Sequence, residues 1–489
     1  MKKILPALLF APLFATAFYE SAFGINVLII DLALVVALVV TRSKFFEKLN
    51  WVKTFVLMSW LATAVFVTLY ASNIAIGIHF IFTAIFCGYV TSSYWVQPLW
   101  AFWSGLVSMC TGLIHFRKVE IKTGKRKKMN LKSLGIYVVP FVIAMVFFTL
   151  YTRASSSFAK NMQQFAAYLS DIFSWLPNIF NLKFILLFLL GLSIVFGFLF
   201  PKLKALILSA DIHKKMNLQR TKTRMNRFKN MDLQKEYKAQ LFMFLLLNLL
   251  LVMLNVDDLL NVWLGFSFDG QFLKEYVHNG TYMLLLSIVL SIVLVLFAFR
   301  RNLNFYKSPW LKTLSYIWLA QNAFLALSVL LRNWHYVTYF NLAYLRIGLF
   351  FFLSFVFVLL CLIGVMIYRT KTRYYLLKHA SFVAMALLLM ISSVDWDKTI
   401  CTYNFDHAGK AFLHRSWLMK RDEKCLPILL ENKEKMVNGV DNEIHQYYIE
   451  TAYNEWINEK IALFKEDFEQ RNYWEWNYAD WKAYQALKP

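Results

Sequence analysis

The chain has 489 residues, 59% of them hydrophobic and 18% aromatic but only 17% charged, with a mean hydropathy of +0.49. Soluble globular domains are nearer half apolar and a quarter charged, so this composition excludes one and indicates a polytopic membrane protein. The net charge of +23 is assigned to cytoplasmic loops, where Lys and Arg accumulate in membrane proteins, and not to a nucleic-acid partner.

Crossing roughly 30 Å of hydrocarbon takes about 20 helical residues. Apolar stretches of that order lie at 4–19, 23–41, 54–71, 73–92, 97–115, 134–152, 183–200, 240–256, 281–299, 311–331, 342–368 and 376–394. They lack the alternation of a barrel strand, and unpaired backbone is prohibitively costly in lipid, so all are predicted as helices. The expected fold is all-α: a polytopic transmembrane helix bundle over 1–394, then a small α-rich extramembrane tail over 395–489. The first segment, "MKKILPALLFAPLFATAFYE", also carries the basic start, apolar core and small-residue "ATA" of a secretory signal, and in either case Gly24 begins outside.

Basic segments orient the helices, since Lys and Arg in short loops mark the cytoplasmic side. Residues 41–53, 116–133, 201–239, 300–307 and 369–378 are basic and read as inside, whereas 255–280 is acidic and reads as outside. Three candidates lie between the inside loops 41–53 and 116–133, where parity allows an even number. The expected non-crossing one is 97–115, whose Trp100 and Trp103 suit an interface and whose Gly105 and Gly112 suit a re-entrant or broken helix. The expectation is therefore about eleven crossings, possible membrane segments numbering about twelve, with the N-terminus cytoplasmic and the C-terminus external.

Charge also separates the tail from the bundle. Residues 395–489 carry 13 basic and 17 acidic side chains, near −4, leaving near +27 for 1–394 to make the total of +23. In the tail Ile457, Ile461, Phe464 and Phe468 recur at helical spacing, followed by Trp474, Tyr478 and Trp481, which predicts amphipathic helices packed within a small domain.

Ionisable residues inside apolar runs are the first candidates for function, because each costs roughly 2.5–3.5 kcal/mol to place at mid-helix in a bilayer. Asp31 sits in "GINVLIIDLALVVALVV", His79 in "SNIAIGIHFIFTA" and Arg346 in "YFNLAYLRIGLFFF". They are candidates for a ligand or ion pathway, with His79 and Arg346 as alternative partners of Asp31. Gln321 and Asn322, with Asn248 and Asn73, are further pathway candidates or glue between helices. Asp257 and Asp258, with Asp269 and Glu275, form an acidic cluster expected in an outer loop. Cys401 and Cys425 are candidates for a disulfide if the tail faces an oxidising compartment. Their spacing with His407 and His414 matches no zinc finger, so no metal is expected. The chain has no phosphate-binding Gly-rich loop, no His-Glu-x-x-His and no Gly-x-Ser-x-Gly, and no cofactor is expected.

Three stretches, "EYVHNGTYMLLL" (275–286), "FNLAYLRIGLFFFLSFVFVLL" (340–360) and "VDWDKTICTYNFDHAG" followed by "CLPILLEN" (394–409 and 425–432), occur in this order. In that order the chain resembles an uncharacterised family of bacterial multi-pass membrane proteins, domains of unknown function of the DUF4153/DUF4173 type. The Tyr403-Asn404 pair and Leu426, Pro427 and Leu429 match the family's short motifs, whereas Asp395, Cys401 and Thr402 depart from its pattern. The resemblance implies a bacterial cytoplasmic-membrane location and an external C-terminal segment, and supplies no activity. The function expected is non-enzymatic, a transporter-like or regulatory scaffold role in the cell envelope. Its partners would be the lipid bilayer and an envelope protein met through the tail. The alternative is a membrane glycosyltransferase or ligase acting on a lipid-linked envelope precursor. Glu20, Asp257 and Asp258 would be its acids, although the loop "YESAFG" is short for such an enzyme.

Overall fold

The computed structural model describes residues 5–47, 49–91, 97–115, 160–164, 182–199, 215–220, 227–264, 281–299, 301–306, 309–437 and 443–488. It is 86% helical with no strand among the described residues. Seven of the described helices are long and apolar enough to cross a membrane, and Leu5–Phe18, Lys183–Leu199 and Tyr282–Ala298 are shorter apolar helices. The predicted segment at 134–152 lies outside the described residues.

The amino-terminal bundle comprises α1 (Leu5–Phe18), α2 (Ile25–Glu47), α3 (Trp51–Tyr70), α4 (Asn73–Thr91), α5 (Pro98–His115) and α6 (Leu182–Leu199). Its core holds Trp60 stacked on Phe86 at 4.4 Å between centroids, with Phe82, Leu34 and Leu38 fully enclosed. Apolar side chains gain little by leaving lipid for protein, so association must come from close packing at small residues. A Cβ on Gly88 would stand 1.9 Å from the Ala101 carbonyl, and one on Gly105 would stand 1.8 Å from that of Ala84. These pairings run α5 antiparallel along α4. Gly112 against Ser193, with Ser108 donating to the Gly197 carbonyl at 2.8 Å, runs α6 antiparallel along α5.

This corrects the expectation of a re-entrant or broken segment at 97–115. The helix is continuous from Pro98 to His115. Its glycines mark close helix–helix approach and not a break, which sequence could not distinguish because both uses need a missing Cβ.

The second bundle comprises α7 (Arg227–Asp258), continued by a π-turn at Leu259–Leu264, then α8 (Thr281–Ala298), α9 (Trp310–Phe340), α10 (Tyr344–Tyr368) and α11 (Arg373–Ser392). A polar seam joins the parallel pair α7 and α9. Asn248 donates to the Leu314 carbonyl at 3.1 Å and accepts from Gln321 at 2.9 Å, and Asn255 donates to the Gln321 carbonyl at 3.2 Å. Higher along the same seam, the Trp263 indole donates to Ser328 at 3.0 Å and Arg332 binds Asp258.

The helix ends define two faces. On one, Thr372 N–H donates to the Met216 carbonyl at 2.9 Å, the Arg373 guanidinium donates to Leu296 at 3.0 Å, and Tyr237 stacks on Tyr306 at 4.2 Å. The described parts of the basic segments 41–53, 201–239, 300–307 and 369–378 gather there. The tail covers the other face: Ile25 N–H donates to the Trp476 carbonyl at 2.8 Å, and Lys424 Nζ to that of Tyr70 at 2.9 Å. Tyr19, in the turn after α1, meets Phe184 at 5.7 Å, so α6 starts on this tail face.

The tail has its own core. α12 (Trp396–Asp406), α13 (Arg415–Leu418), α14 (Leu426–Glu431), α15 (Lys433–Val437), α16 (Glu443–Gln470) and α17 (Tyr478–Ala486) enclose Cys401, Phe405, Leu429, Ile457 and Phe464. Trp474 instead packs onto the amino-terminal bundle.

Candidate functional site

Asp31 and His79 meet inside the amino-terminal bundle. His79 Nε2 lies 3.5 Å from Asp31 Oδ2, and the residues are 6% and 4% exposed. Asp31 is six residues into α2 and His79 six into α4, which at 1.5 Å per residue puts both about 9 Å below the tail face. The carboxylate is therefore in the half of the bundle under the tail, not at its midpoint.

Hydrogen-bond bookkeeping assigns the imidazole tautomer. Thr63 Oγ1 has one proton and gives it to the Trp60 carbonyl at 2.7 Å, so towards His79 Nδ1, 3.1 Å away, it can only accept. Nδ1 therefore carries the proton, an assignment made from the network, and Nε2 of a neutral ring is an acceptor. Thr83 Oγ1 accepts from the Trp60 indole at 3.0 Å and lies 2.9 Å from the His79 carbonyl and 3.3 Å from Nε2. Whichever of these takes its proton, Asp31 Oδ2 receives no hydrogen bond. A buried carboxylate with no donor is costly while charged, so the pair is stable only with one further proton or a cation.

A cavity of about 430 Å³ opens beside the pair, lined by Asp31, His79 and Thr83 and otherwise mainly by apolar side chains such as Phe14, Phe18, Phe23 and Phe80. Thr63, Thr83 and Trp60 were not singled out in sequence. Thr83 lies four residues after His79 on the same helix face, the one signal that could have found it.

The other candidates lie elsewhere. Arg346 is not beside Asp31: it is in the second bundle, its guanidinium 3.5 Å from the centroid of the Tyr336 ring, while its carbonyl accepts from Asn333 at 3.1 Å. Gln321 bridges α9 to α7 through Asn248, and Asn322 donates to the Trp318 carbonyl of its own helix at 2.8 Å. Asp257 and Asp258 are in the last turn of α7, not in a loop. Asp257 is exposed and accepts from Asn261 at 2.8 Å, whereas Asp258 is fully buried against Arg332. Arg332 was missed because it follows the run 311–331 as if it were a flanking charge. Asp269 and Glu275 lie outside the described residues.

The family described as a domain of unknown function, DUF4153, matches residues 30–416, about four-fifths of the chain. The chain belongs to that family. No curated protein and no solved structure is detectably similar to it. The DUF4153 match takes in Asp31, His79, the first bundle from within α2 onward, the second bundle and the first part of the tail.

Within that first part, Asn404 explains the Tyr-Asn motif of the DUF4153 chain. Its side chain accepts from Leu342 N–H at 2.8 Å and donates to the Leu342 carbonyl at 3.1 Å, clamping α12 to the α9–α10 turn. Beyond the match, buried Lys424 sits 3.4 Å from Asp395, 3.3 Å from Asp397 and 3.4 Å from Asp422. Burial alone would lower the Lys424 ammonium, but the three carboxylates push it well above the usual lysine range. Burial pushes Asp395 and Asp422 up, with repulsion from Asp397 adding to it and the Lys424 ammonium opposing it. Cys401 and Cys425 are free thiols, both fully buried and in contact, and the neighbouring thiol together with burial holds Cys425 far above the usual thiol range. Among the described residues no group of His, Cys, Asp or Glu is arranged to hold a metal ion.

Proposed function

We propose that this DUF4153 protein is a bacterial inner-membrane protein that works without covalent chemistry, as a transporter-like element of the cell envelope. Its working centre would be the Asp31–His79 pair, which holds an exchangeable proton. The carrying observation is a buried carboxylate with no hydrogen-bond donor, facing a titratable imidazole and lining a cavity inside the bundle. A purely structural ion pair would have a permanent cation, as Asp258 has in Arg332. In a deletion strain, Asp31→Asn and His79→Gln should each fail to restore growth and envelope integrity, whereas Arg346→Gln should restore them. Full restoration by Asp31→Asn would sink the reading.

In this reading the N-terminus is cytoplasmic and the tail external, because the described parts of four of the five basic segments lie on the face opposite the tail, whereas α5 ends at the tail face, against the expectation that 116–133 is inside. Among the described residues, eleven crossings follow if each of α1–α11 spans the bilayer. Cys401 and Cys425 are too buried to report the side by labelling. An introduced thiol at Tyr473→Cys, where the wild-type side chain is 96% exposed, should react with a membrane-impermeant reagent in intact cells. A thiol at Tyr368→Cys, on the opposite face, should react only after permeabilisation; the reverse pattern would invert the topology. An external tail would also let Cys401 and Cys425 close to a disulfide. For the glycosyltransferase alternative, the acids named for it do not converge among the described residues: Asp257 is exposed and Asp258 is tied to Arg332.

A further inference from the structure

We infer that the cavity beside Asp31 binds an apolar organic amine, a molecule with a compact hydrocarbon body and one protonated nitrogen, and that binding expels the proton held by the pair. This rests on the reading of Asp31 and His79 as the working centre and names the ligand class that would use it. The cavity's hydroxyls are already spent as donors: Ser193 donates to the Met109 carbonyl at 2.5 Å and Ser21 to that of Tyr19 at 3.1 Å. What remains for a ligand is acceptor chemistry, the donor-less Asp31 Oδ2. Aromatic rings line the same cavity, with Phe18 and Phe80 at 5.6 and 6.0 Å from Phe23. Rings and a carboxylate together favour a cation, since the ring face is electronegative and the carboxylate supplies both charge and hydrogen-bond acceptors. A carboxylic acid would be repelled, and a neutral alcohol would leave the charge uncompensated unless the proton stayed. A volume of about 430 Å³ is within the range of sites that take small, mostly apolar ligands.

Charge balance fixes the exchange. Before binding, Asp31 and His79 share one added proton and the site is neutral. When R–NH3+ enters, its N–H donates to Asp31 Oδ2, the added proton leaves to water, and the site is neutral again. One cation enters for one proton released, and no other bond is made or broken.

The test uses the full chain purified in detergent and phenylbutylamine as the probe, with phenylbutanol and phenylbutyrate as neutral and anionic counterparts. The amine should bind with release of about one proton, so its affinity should fall about tenfold per unit drop in pH near neutrality. The alcohol and the acid should bind at least about tenfold more weakly, a difference of about 1.4 kcal/mol. Asp31→Asn should abolish proton release and selectivity for the amine. Leu190→Trp, which fills the cavity from its lipid-facing wall and leaves Asp31 intact, should abolish binding and serves if Asp31→Asn folds poorly. Equal binding of amine and alcohol, or amine binding without proton release, would overturn the inference. If Asp31→Asn and His79→Gln fail in cells but the amine does not bind, the ligand class falls and the working centre stands. If the amine binds as expected while Asp31→Asn is fully active in cells, the working centre falls instead.

Discussion

Among the described residues the two bundles each bury one aspartate, and they treat it in different ways. In the second, Asp258 meets Arg332, a cation that cannot be discharged, within a seam of amide and hydroxyl bonds between α7 and α9. In the first, Asp31 meets His79, a group that holds or releases a proton, and the pair lines a cavity. A closed pair of permanent charges holds helices together, whereas an open pair with one titratable member can change its occupancy. The difference separates scaffold from working centre in a protein without a recognisable catalytic motif.

The comparison can be broken most directly at the closed pair. Arg332→Met leaves Asp258 buried and uncompensated, and should cost about 3–5 kcal/mol of stability. Adding Asp258→Asn should recover most of it, read as thermal unfolding of the purified chain. The close approach that frames the open pair comes next. Gly105→Val forces a side chain into the Ala84 carbonyl and should cost about 1–3 kcal/mol or more, while Gly348→Val, with nothing within 4 Å of its Cβ position, should be nearly silent. Asn404→Ala strands the Leu342 N–H and C=O under the tail, at a cost of about 1–3 kcal/mol.

The tail responds to pH in a stated direction. Lys424 is raised in the folded state, so its stabilisation is complete below the unfolded value of about 10.4 and is lost as pH rises through the higher folded one. Asp395 and Asp422 are also raised, so their ionisation above about pH 3.9 works against the fold. The tail's unfolding transition should therefore fall on going from neutral to strongly alkaline pH, and Lys424→Met should remove the alkaline part of that fall. The smallest effect is the most telling one. Asp31→Asn should leave stability unchanged or slightly raised, within about 1 kcal/mol, because it replaces a buried carboxyl group whose Oδ2 has no hydrogen-bond donor. A loss as large as that expected for Arg332→Met would make the two pairs equivalent and erase the distinction.

The apolar runs are recoverable from sequence because their length and composition answer to the bilayer alone, and nearly all those in described residues are helices. Asp31 and His79 were also visible, as ionisable groups where lipid penalises charge. Their partnership was not, since 48 residues separate them and Arg346 fitted the same pattern equally well. Asp258 and Arg332 illustrate the converse: each reads as a loop or flank charge until the helices carrying them are seen side by side. In the tail, the i, i+4 pattern of Ile457 and Ile461 announced a packed helix, but nothing local predicted that Lys424 would gather three carboxylates under Tyr70.

By itself, then, the sequence determined that this is a helical membrane protein with an acidic tail, because hydropathy and net charge are sums over residues and need no neighbours. Tertiary structure decided which buried charge is sealed and which is open, and whether a glycine breaks a helix or seats one against another. Those outcomes depend on which atoms face each other across helix interfaces, where a single donor proton, as at Thr63, sets what its neighbour can do.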